Sequence, residues 1–318
     1  MVMKALVSES FDPSTPLKVN PASHRRIDNR LAKLPSWFKQ PLPPMAKIHA
    51  MQELFRSSGL HTVCESARCP NMGTCWGAGV ATFMILGGTC TRACRFCAVP
   101  AGRPDVLDPH EPRQVAQTVE KLKLRYVVIT SVARDDLADE GASHFAATIR
   151  AIRALTPQVK VEVLIPDFSA KEESLQILGD AAPEVISHNI ETVRRLSKSI
   201  RPQAFHERSL TVLMRFRELS PAAFVKSSFM VGLGESEEEI IELMQELLEA
   251  GCQILTIGQY LAPTQAKRHV PVQRFVTPQE FERLAQVGLQ MGFKYVESGP
   301  LVRSSYIAEK GYREALTR

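Results

Sequence analysis

Cysteine is the residue type in this sequence whose spacing most clearly points to chemistry. Six of the seven cysteines fall between residues 64 and 97, in two groups of three spaced C-x4-C-x5-C and C-x3-C-x2-C. Cysteine thiolates bind metals and iron–sulfur clusters and also pair as disulfides, so spacing and compartment must decide between these chemistries. The first group is Cys64, Cys69 and Cys75, and the second group is Cys90, Cys94 and Cys97.

Three kinds of site compete for these two groups. Disulfides need an oxidising compartment, but Glu9, Asp12 and Pro13 occupy the stretch where an export signal would be apolar. Structural zinc takes four ligands, whereas each group supplies three and the next histidine is His110, so a Cys3His site stays an open alternative. Three thiolates suit a [4Fe–4S] cluster, because its fourth iron is then free for another ligand. The spacing therefore favours iron–sulfur clusters over zinc.

The elements that must position these cysteines are a helix and then a long alternation of strands and helices. The pattern predicts a helix over 46–58 before the first group, and β-branched runs alternate with helical patterns from residue 80 onward. Capping sequences at Ser236 and Thr277 mark two helix starts. The predicted strands are 80–86, 125–132, 159–165, 184–190, 224–231 and 253–261. The predicted helices are 111–123, 143–155, 171–181, 192–197, 206–219 and 237–250.

This alternation predicts an α/β fold with a parallel sheet, since each crossover returns the next strand in the same direction. Six β–α units are too few for a closed eight-fold barrel, which leaves a partial barrel or a doubly wound sheet. We favour a partial (β/α)6 TIM-type barrel whose open face is covered by N-terminal and C-terminal extensions. Polar residues such as Thr130, Asp167 and Asn189 follow the strands, and ligands bind at these carboxyl ends in either architecture.

Length and charge limit the classes of function. The 318 residues carry a net charge of +5, but residues 1–45 hold seven Lys and Arg against three acids, and seven of the 21 prolines. We interpret 1–45 as an extended basic arm with a short helix near 27–34, which either docks an acidic partner or is a solvated leader. The remainder is near neutral, so we expect no nucleic-acid partner. Because apolar runs fall short of the ~18 residues of a membrane span, we expect a cytoplasmic enzyme without a membrane partner.

The second cysteine group resembles the cluster-binding loop of the radical S-adenosylmethionine superfamily. Cys90 follows the first predicted strand by four residues, so the loop GGTCTRACRFCA (87–98) lies at the top of that strand. The resemblance implies that three thiolates hold three irons and that the fourth iron chelates S-adenosylmethionine. One electron then cleaves the sulfonium to give a 5′-deoxyadenosyl radical, which can take hydrogen from an unactivated carbon.

The first cysteine group and the C-terminal sequence narrow the resemblance. TVCESARCPNMGTCW (62–76) precedes the first strand, RSSY (303–306) lies near the C-terminus, and VITSVARDDL, HNIETVRRL, MVGLGES and TIGQYLAPT lie between them. From about residue 25 to residue 306, this sequence is similar to the lipoyl synthase family. The resemblance implies insertion of sulfur at carbons 6 and 8 of an octanoyl group on a carrier-domain lysine, with two molecules of S-adenosylmethionine consumed.

The resemblance also implies cofactors and partners. The cofactors are two [4Fe–4S] clusters and S-adenosylmethionine; the second cysteine group holds the radical cluster, and the first group holds an auxiliary cluster that donates sulfur. The fourth ligand of the auxiliary cluster is Ser305, with Ser304 as the near alternative, and a serine oxygen suits a cluster corner that must open. The partners are octanoylated carriers, namely the 2-oxoacid dehydrogenase acyltransferase component and the glycine cleavage H protein, with reduced ferredoxin or flavodoxin as electron donor.

The remaining candidate residues are assigned to catalysis or to S-adenosylmethionine. Ser305 and Arg303 are the expected catalytic residues, and His269 is a further candidate for contact with the carrier or the auxiliary site. Cys252, outside both groups, is expected to be a buried thiol. The expected S-adenosylmethionine residues are Thr130, Asn189, Glu191 and Arg201.

These assignments divide the chain into four segments and leave two alternatives open. The segments are the arm (1–45), a helix with the first cysteine group (46–79), the barrel (80–275) and a C-terminal helix with RSSY (276–318). One alternative is another two-cluster radical enzyme, such as a biotin-synthase-like sulfur inserter. The other is a non-catalytic iron–sulfur carrier or zinc-binding module, which the polar strand ends argue against because a carrier needs no substrate cavity.

Overall fold

The core is one eight-stranded sheet in a computed structural model that describes residues 34–39, 45–67, 69–77 and 82–318. The strands lie side by side in chain order; β1 pairs antiparallel with β2, and every later neighbour is parallel. The strands are β1 (His61–Thr62), β2 (Thr82–Ile85), β3 (Tyr126–Ser131), β4 (Lys160–Leu164), β5 (Val185–Ser187), β6 (Phe224–Val231), β7 (Ile254–Gln259) and β8 (Tyr295–Gly299).

Helices connect the parallel strands and flank the first cysteine group. The capping boxes at Ser236 and Thr277 form as predicted, each with a reciprocal pair of side-chain hydrogen bonds. None of the helices described is long and apolar enough to cross a membrane. The helices are α1 (Met45–Ser57), α2 (Val63–Ser66), α3 (Met72–Gly77), α4 (Glu111–Lys121), α5 (Ala142–Leu155), α6 (Glu172–Asp180), α7 (Arg194–Ile200), α8 (His206–Leu219), α9 (Glu237–Glu249), α10 (Pro278–Met291) and α11 (Ala308–Leu316).

The strand order confirms the partial TIM-type barrel. A doubly wound sheet would reverse its order at a switch point, whereas these strands run sequentially from β1 to β8. The sheet remains open between its first and last strands. One difference from the predicted six units is a seventh parallel strand, β8, which pairs with β7. Its sequence YVESG carries polar residues and is only partly buried, so it lacks the apolar run that marks the other strands.

The loop of the first cysteine group and the C-terminal segment 301–305 meet across the open side of the barrel, which we call the seam. Asn71, in the loop of the first cysteine group, donates to the carbonyl of Leu301 at 2.5 Å. Thr82, the first residue of β2, hydrogen-bonds to Ser305 at 3.0 Å. These contacts span more than 220 residues of sequence and confirm that the extensions cover the open face. The predicted helix near 27–34 lies outside the described residues except for Leu34.

The opposite end of the barrel is closed by α11. The ring of Tyr312 packs against Tyr126 and Phe224, the first residues of β3 and β6, at centroid distances of 5.8 and 5.9 Å. Above it, Lys226 and Glu162 form a 2.7 Å ion pair that is almost entirely buried. The amino-terminal end of the sheet is therefore filled by side chains, and the space for a ligand lies at the carboxyl-terminal end and along the seam.

Candidate functional site

A cavity of about 990 Å³ opens at the carboxyl ends of the strands and extends to the seam. Its volume is at the upper end of the range for ligand sites, roughly 300–1,000 Å³. Both cysteine groups line it, together with the RSSY segment and all four residues expected to contact S-adenosylmethionine. The fold therefore brings every predicted site residue to the wall of one cavity.

The backbone of the second cysteine group is fixed around Cys90. The sulfur of Cys90 accepts hydrogen bonds from the backbone N–H groups of Arg92 at 3.4 Å and Ala133 at 3.3 Å. The N–H of Cys90 donates to the carbonyl of Pro100 at 2.8 Å, and its carbonyl accepts from Gly102 at 2.9 Å. Hydrogen bonds to sulfur stabilise negative charge on cluster ligands, so this loop has the donors that a bound cluster requires.

A buried arginine within this loop ties it to the strand ends. Arg92 donates to Asp135 at 2.5 Å and to Asp167 at 2.7 Å, and it lies 3.7 Å from Glu140. Burial raises the pKa of Asp167, but the hydrogen bond and the charge of Arg92 outweigh burial and lower that pKa to about 2. In the sequence, Asp167 stands out only as a strand-end residue, and Arg92 does not stand out at all. Its partners are distant in sequence, and no spacing marks them as a group.

Three of the predicted S-adenosylmethionine residues cluster beside Cys94. Glu191 accepts from Asn189 Nδ2 at 3.1 Å, and Arg201 donates to the Asn189 carbonyl at 3.0 Å. Burial raises the pKa of Cys94 to about 12, with Glu191 and Arg201 among the charges that act on it. Thr130 lines the same cavity, but its hydroxyl donates to the Leu164 carbonyl on the next strand at 2.9 Å.

Polar atoms in this cluster fit an S-adenosylmethionine molecule. Among the described residues, the buried Oδ1 of Asn189 and Nε of Arg201 have no hydrogen-bond partner. A buried polar atom without a partner costs about 1–3 kcal/mol, so such atoms at a cavity wall indicate a ligand that satisfies them. The pair offers an acceptor and a donor, which suit the ammonium and carboxylate ends of the molecule.

The first cysteine group is built on two short helices. Thr62 caps α2, which carries Cys64, and the N–H of Cys69 donates to the Cys64 carbonyl at 2.9 Å. On α3, the N–H of Cys75 donates to the Asn71 carbonyl at 2.8 Å. These local bonds turn the chain so that the three cysteines line the cavity wall at the seam.

Each cysteine of the first group is linked to the RSSY segment, either directly by electrostatic interaction or through Thr82. The Arg303 guanidinium acts on Cys69, while burial lowers the pKa of Arg303 itself. Tyr306 lies near Cys75, whose pKa burial raises to about 12. The backbone N–H of Thr82 acts on the Cys64 thiol, and the hydroxyl of Thr82 bonds to Ser305.

The thiols of the two cysteine groups line a cavity and do not converge on a single metal position. All seven cysteines are free, and within the described part of the chain no three His, Cys, Asp or Glu side chains converge as the ligands of one metal ion. A cubic cluster binds its three thiolates at three different irons, so separated thiols around a cavity fit a cluster better than a single zinc ion. The buried indole N–H of Trp76 has no partner among the described residues yet acts on Cys64, and it could donate to a cluster sulfur.

The structure also places His269 and Cys252. His269 lies beside the second cysteine group: its Nε2 is 3.0 Å from the Cys97 carbonyl and its Nδ1 is 2.8 Å from Thr264 Oγ1. It therefore supports the loop of the second group. Cys252 is buried, and burial raises its pKa, which confirms an unreactive thiol.

Comparison with known proteins first gives the class. The radical SAM superfamily matches residues 84–247. The crystal structure of HydG, a maturase of the [FeFe]-hydrogenase, has a similar fold, with a TM-score of 0.55 and 15% identity over 67% of this chain and 49% of that chain. With a C-x3-C-x2-C loop after the first parallel strand of an open barrel, the chain is a radical SAM protein. This class implies a [4Fe–4S] cluster and S-adenosylmethionine.

Two curated relatives then give the family. Lipoyl synthase of Rubrobacter xylanophilus is 55% identical over 281 residues, which cover 88% of this chain and 87% of the relative. Lipoyl synthase of Symbiobacterium thermophilum is 52% identical over 308 residues, which cover 97% and 95%. This chain belongs to the lipoyl synthase family, as the two cysteine groups and RSSY predicted.

Proposed function

We propose that this chain inserts sulfur at carbons 6 and 8 of a protein-bound octanoyl group and so forms a lipoyl group. The observation that carries the proposal is the meeting of the first cysteine group and RSSY at the seam, in the same cavity as the second group. A single cavity lets hydrogen removal and sulfur attachment act on the same carbon without release of a reactive intermediate.

The second cysteine group and its neighbours perform the radical half of the reaction. Cys90, Cys94 and Cys97 hold a [4Fe–4S] cluster, which supplies the electron that converts S-adenosylmethionine to a hydrogen-abstracting radical. Arg92 fixes the loop through its buried ion pairs. Asn189, Glu191 and Arg201 bind and orient S-adenosylmethionine beside Cys94, and Thr130 shapes the cavity wall next to them.

The first cysteine group serves the second half of the reaction, in which sulfur is attached to the octanoyl group. Cys64, Cys69, Cys75 and Ser305 hold a second [4Fe–4S] cluster, which is the sulfur-donating substrate. Arg303 is half-buried next to Cys69, so its charge offsets the negative charge of the bound thiolates. Ser305 provides an oxygen ligand, which binds iron less strongly than a fourth thiolate and can leave when sulfur is removed.

The cavity wall between the two groups suits an acyl chain. Met84, Phe229 and Val302 are buried and line it, and apolar walls hold an eight-carbon chain by exclusion of water. Lys267 is exposed where it borders the cavity, and positive charge there favours an acidic carrier surface. The carriers are octanoylated lipoyl domains of the 2-oxoacid dehydrogenase acyltransferase component and the glycine cleavage H protein.

A reductant and a reducing compartment complete the proposal. Reduced ferredoxin or flavodoxin supplies electrons to the radical cluster. The cytoplasm is the expected compartment, because thiols stay reduced there and all seven cysteines of this chain are free.

The test is turnover by the anaerobically purified chain. Iron and sulfide are counted, and the protein is incubated with S-adenosylmethionine, a reductant and an octanoyl-lysine carrier peptide. We expect two clusters per chain, formation of 5′-deoxyadenosine, and a peptide that gains two sulfur atoms. Iron for one cluster, or 5′-deoxyadenosine with no sulfur in the peptide, would overturn the proposal.

A further inference from the structure

We propose that Thr82 is a positioning residue that sets Ser305 and Cys64 at the spacing required to hold one cluster across the seam. The inference rests on the proposed assignment of Ser305 as a cluster ligand. It adds a residue that neither cysteine spacing nor RSSY points to.

Thr82 is joined to both sides of the seam. Its hydroxyl donates to Ser305 Oγ at 3.0 Å, and its backbone N–H is close enough to the thiol of Cys64 to act on it. The two partners are 241 positions apart in the sequence. Thr82 therefore lies between a ligand from the N-terminal group and the ligand from the C-terminal segment, and it is hydrogen-bonded to the latter.

Thr82 lies on a strand of the sheet, whereas neither of its two partners does. It begins β2, pairs in register with Val128 of β3, and is 4% exposed. In contrast, Ser305 lies in a turn between β8 and α11, and Cys64 lies on a helix of four residues. A strand within a parallel sheet offers a fixed reference point, and functional groups built on such elements are held more accurately than those on loops.

The hydrogen bond to Ser305 also directs its oxygen. A serine hydroxyl rotates freely and has two acceptor lone pairs, so a donor that occupies one lone pair leaves the other to face the cavity. Threonine suits this role because its branched side chain has restricted χ1 rotation. Loss of the hydroxyl would leave the serine free to turn away while the cysteines remained in place.

The experiment isolates the auxiliary cluster in the full-length chain. Cys90, Cys94 and Cys97 are replaced by alanine, and Thr82→Val, Thr82→Ser and Ser305→Ala are each added to that background. Thr256→Val is the matched control, because Thr256 is a buried strand threonine whose hydroxyl has no partner among the described residues. The readouts are the rate of iron loss to a chelator and the Mössbauer spectrum of the cluster.

We expect Thr82→Val to lose iron about tenfold faster, as the loss of one hydrogen bond predicts. Its spectrum should match that of Ser305→Ala, with the oxygen-ligated iron site altered. Thr82→Ser should restore the original rate and spectrum, and Thr256→Val should leave both unchanged. If Thr82→Val does not fold, Thr82→Ala takes its place with the same expectation.

Three results would overturn the inference in distinguishable ways. If Ser305→Ala changes the cluster but Thr82→Val does not, Ser305 is a ligand and Thr82 does not position it. If Ser305→Ala leaves both readouts unchanged, the assignment of Ser305 fails, and the role of Thr82 fails with it. If Thr82→Ser, which keeps the hydroxyl, behaves like Thr82→Val, the hydroxyl is not sufficient to position Ser305, which also contradicts the inference.

Discussion

The carbonyl oxygen of Val302 lies against Gly258 so closely that a Cβ at position 258 would stand 2.1 Å from it. Gly258 lies in β7, and Val302 directly precedes the RSSY segment. Real Cβ atoms do not approach backbone this closely, so the C-terminal segment reaches the cavity wall only because this strand residue has no side chain. A glycine outside the cysteine motifs therefore sets where Arg303 and Ser305 lie.

We expect Gly258→Ala to displace the C-terminal segment from β7, because the clash is with backbone and cannot be relieved by rotation of a side chain. The purified variant should lose most of the iron and sulfide of the auxiliary cluster and retain the radical cluster. Gly102→Ala is the control, since its nearest neighbour would be Thr89 Cγ2 at an ordinary 3.5 Å. Full iron content in Gly258→Ala would show that the segment can bind elsewhere.

We expect Arg92→Gln to destabilise the fold by about 3 kcal/mol, because it leaves the carboxylates of Asp135 and Asp167 without their buried partner. Urea unfolding of the anaerobic protein measures this change. The control is Arg215→Gln, which breaks the exposed pair with Glu172 and should leave the free energy of unfolding nearly unchanged, because solvent screens exposed pairs. Equal effects in the two variants would contradict a structural role for the buried network.

Asp167 should contribute to stability only at higher pH. Its pKa in the folded chain is about 2, below its ordinary value of 3.8, so the stabilisation is complete above that value and is lost as the pH falls towards 2. This difference corresponds to about 2 kcal/mol. We expect the free energy of unfolding to fall less steeply with decreasing pH in Asp167→Asn than in the native sequence. The measurement covers a range of about 3 pH units, from pH 5 to pH 2, which brackets both pKa values. Identical slopes would mean that Arg92 does not hold the Asp167 carboxylate.

Thr277→Ala should destabilise the chain by about 1 kcal/mol, because it removes the capping box at the start of α10. Thermal or urea unfolding checks the change. Thr211→Ala, at an exposed position inside α8, should be neutral or slightly stabilising, since alanine favours a helix interior. A neutral Thr277→Ala would show that α10 is held by packing alone.

Local sequence patterns predicted much of the fold. Strand β6 and helix α8 have the predicted bounds, because apolar residues at both ends of the strand and regular helical periodicity are properties of the segment itself. Strand β8 was missed, since its pairing with β7 compensates for a polar sequence that has little strand character of its own. Strand β8 forms because of its tertiary contacts, and a short stretch of sequence carries no information about those contacts.

In the candidate site too, local sequence patterns reveal some residues, and tertiary contacts are needed to reveal the others. Cysteine spacing identifies both groups because ligands of one cluster lie close together in the chain. Arg92 with Asp167, and Thr82 with Ser305, join residues that are 75 and 223 positions apart. Such pairs become visible only once the sheet has set the strands side by side, so a single sequence cannot reveal them.

The central claim is that sulfur in the product comes from the cluster held by Cys64, Cys69, Cys75 and Ser305. The most direct measurement is the mass of the carrier peptide formed by chain whose clusters were rebuilt with heavy-isotope sulfide, with no free sulfide present. We expect both added sulfur atoms to be heavy, and we expect Cys75→Ala to form 5′-deoxyadenosine without adding sulfur. Light sulfur in the peptide, or heavy sulfur added by Cys75→Ala, would contradict the claim.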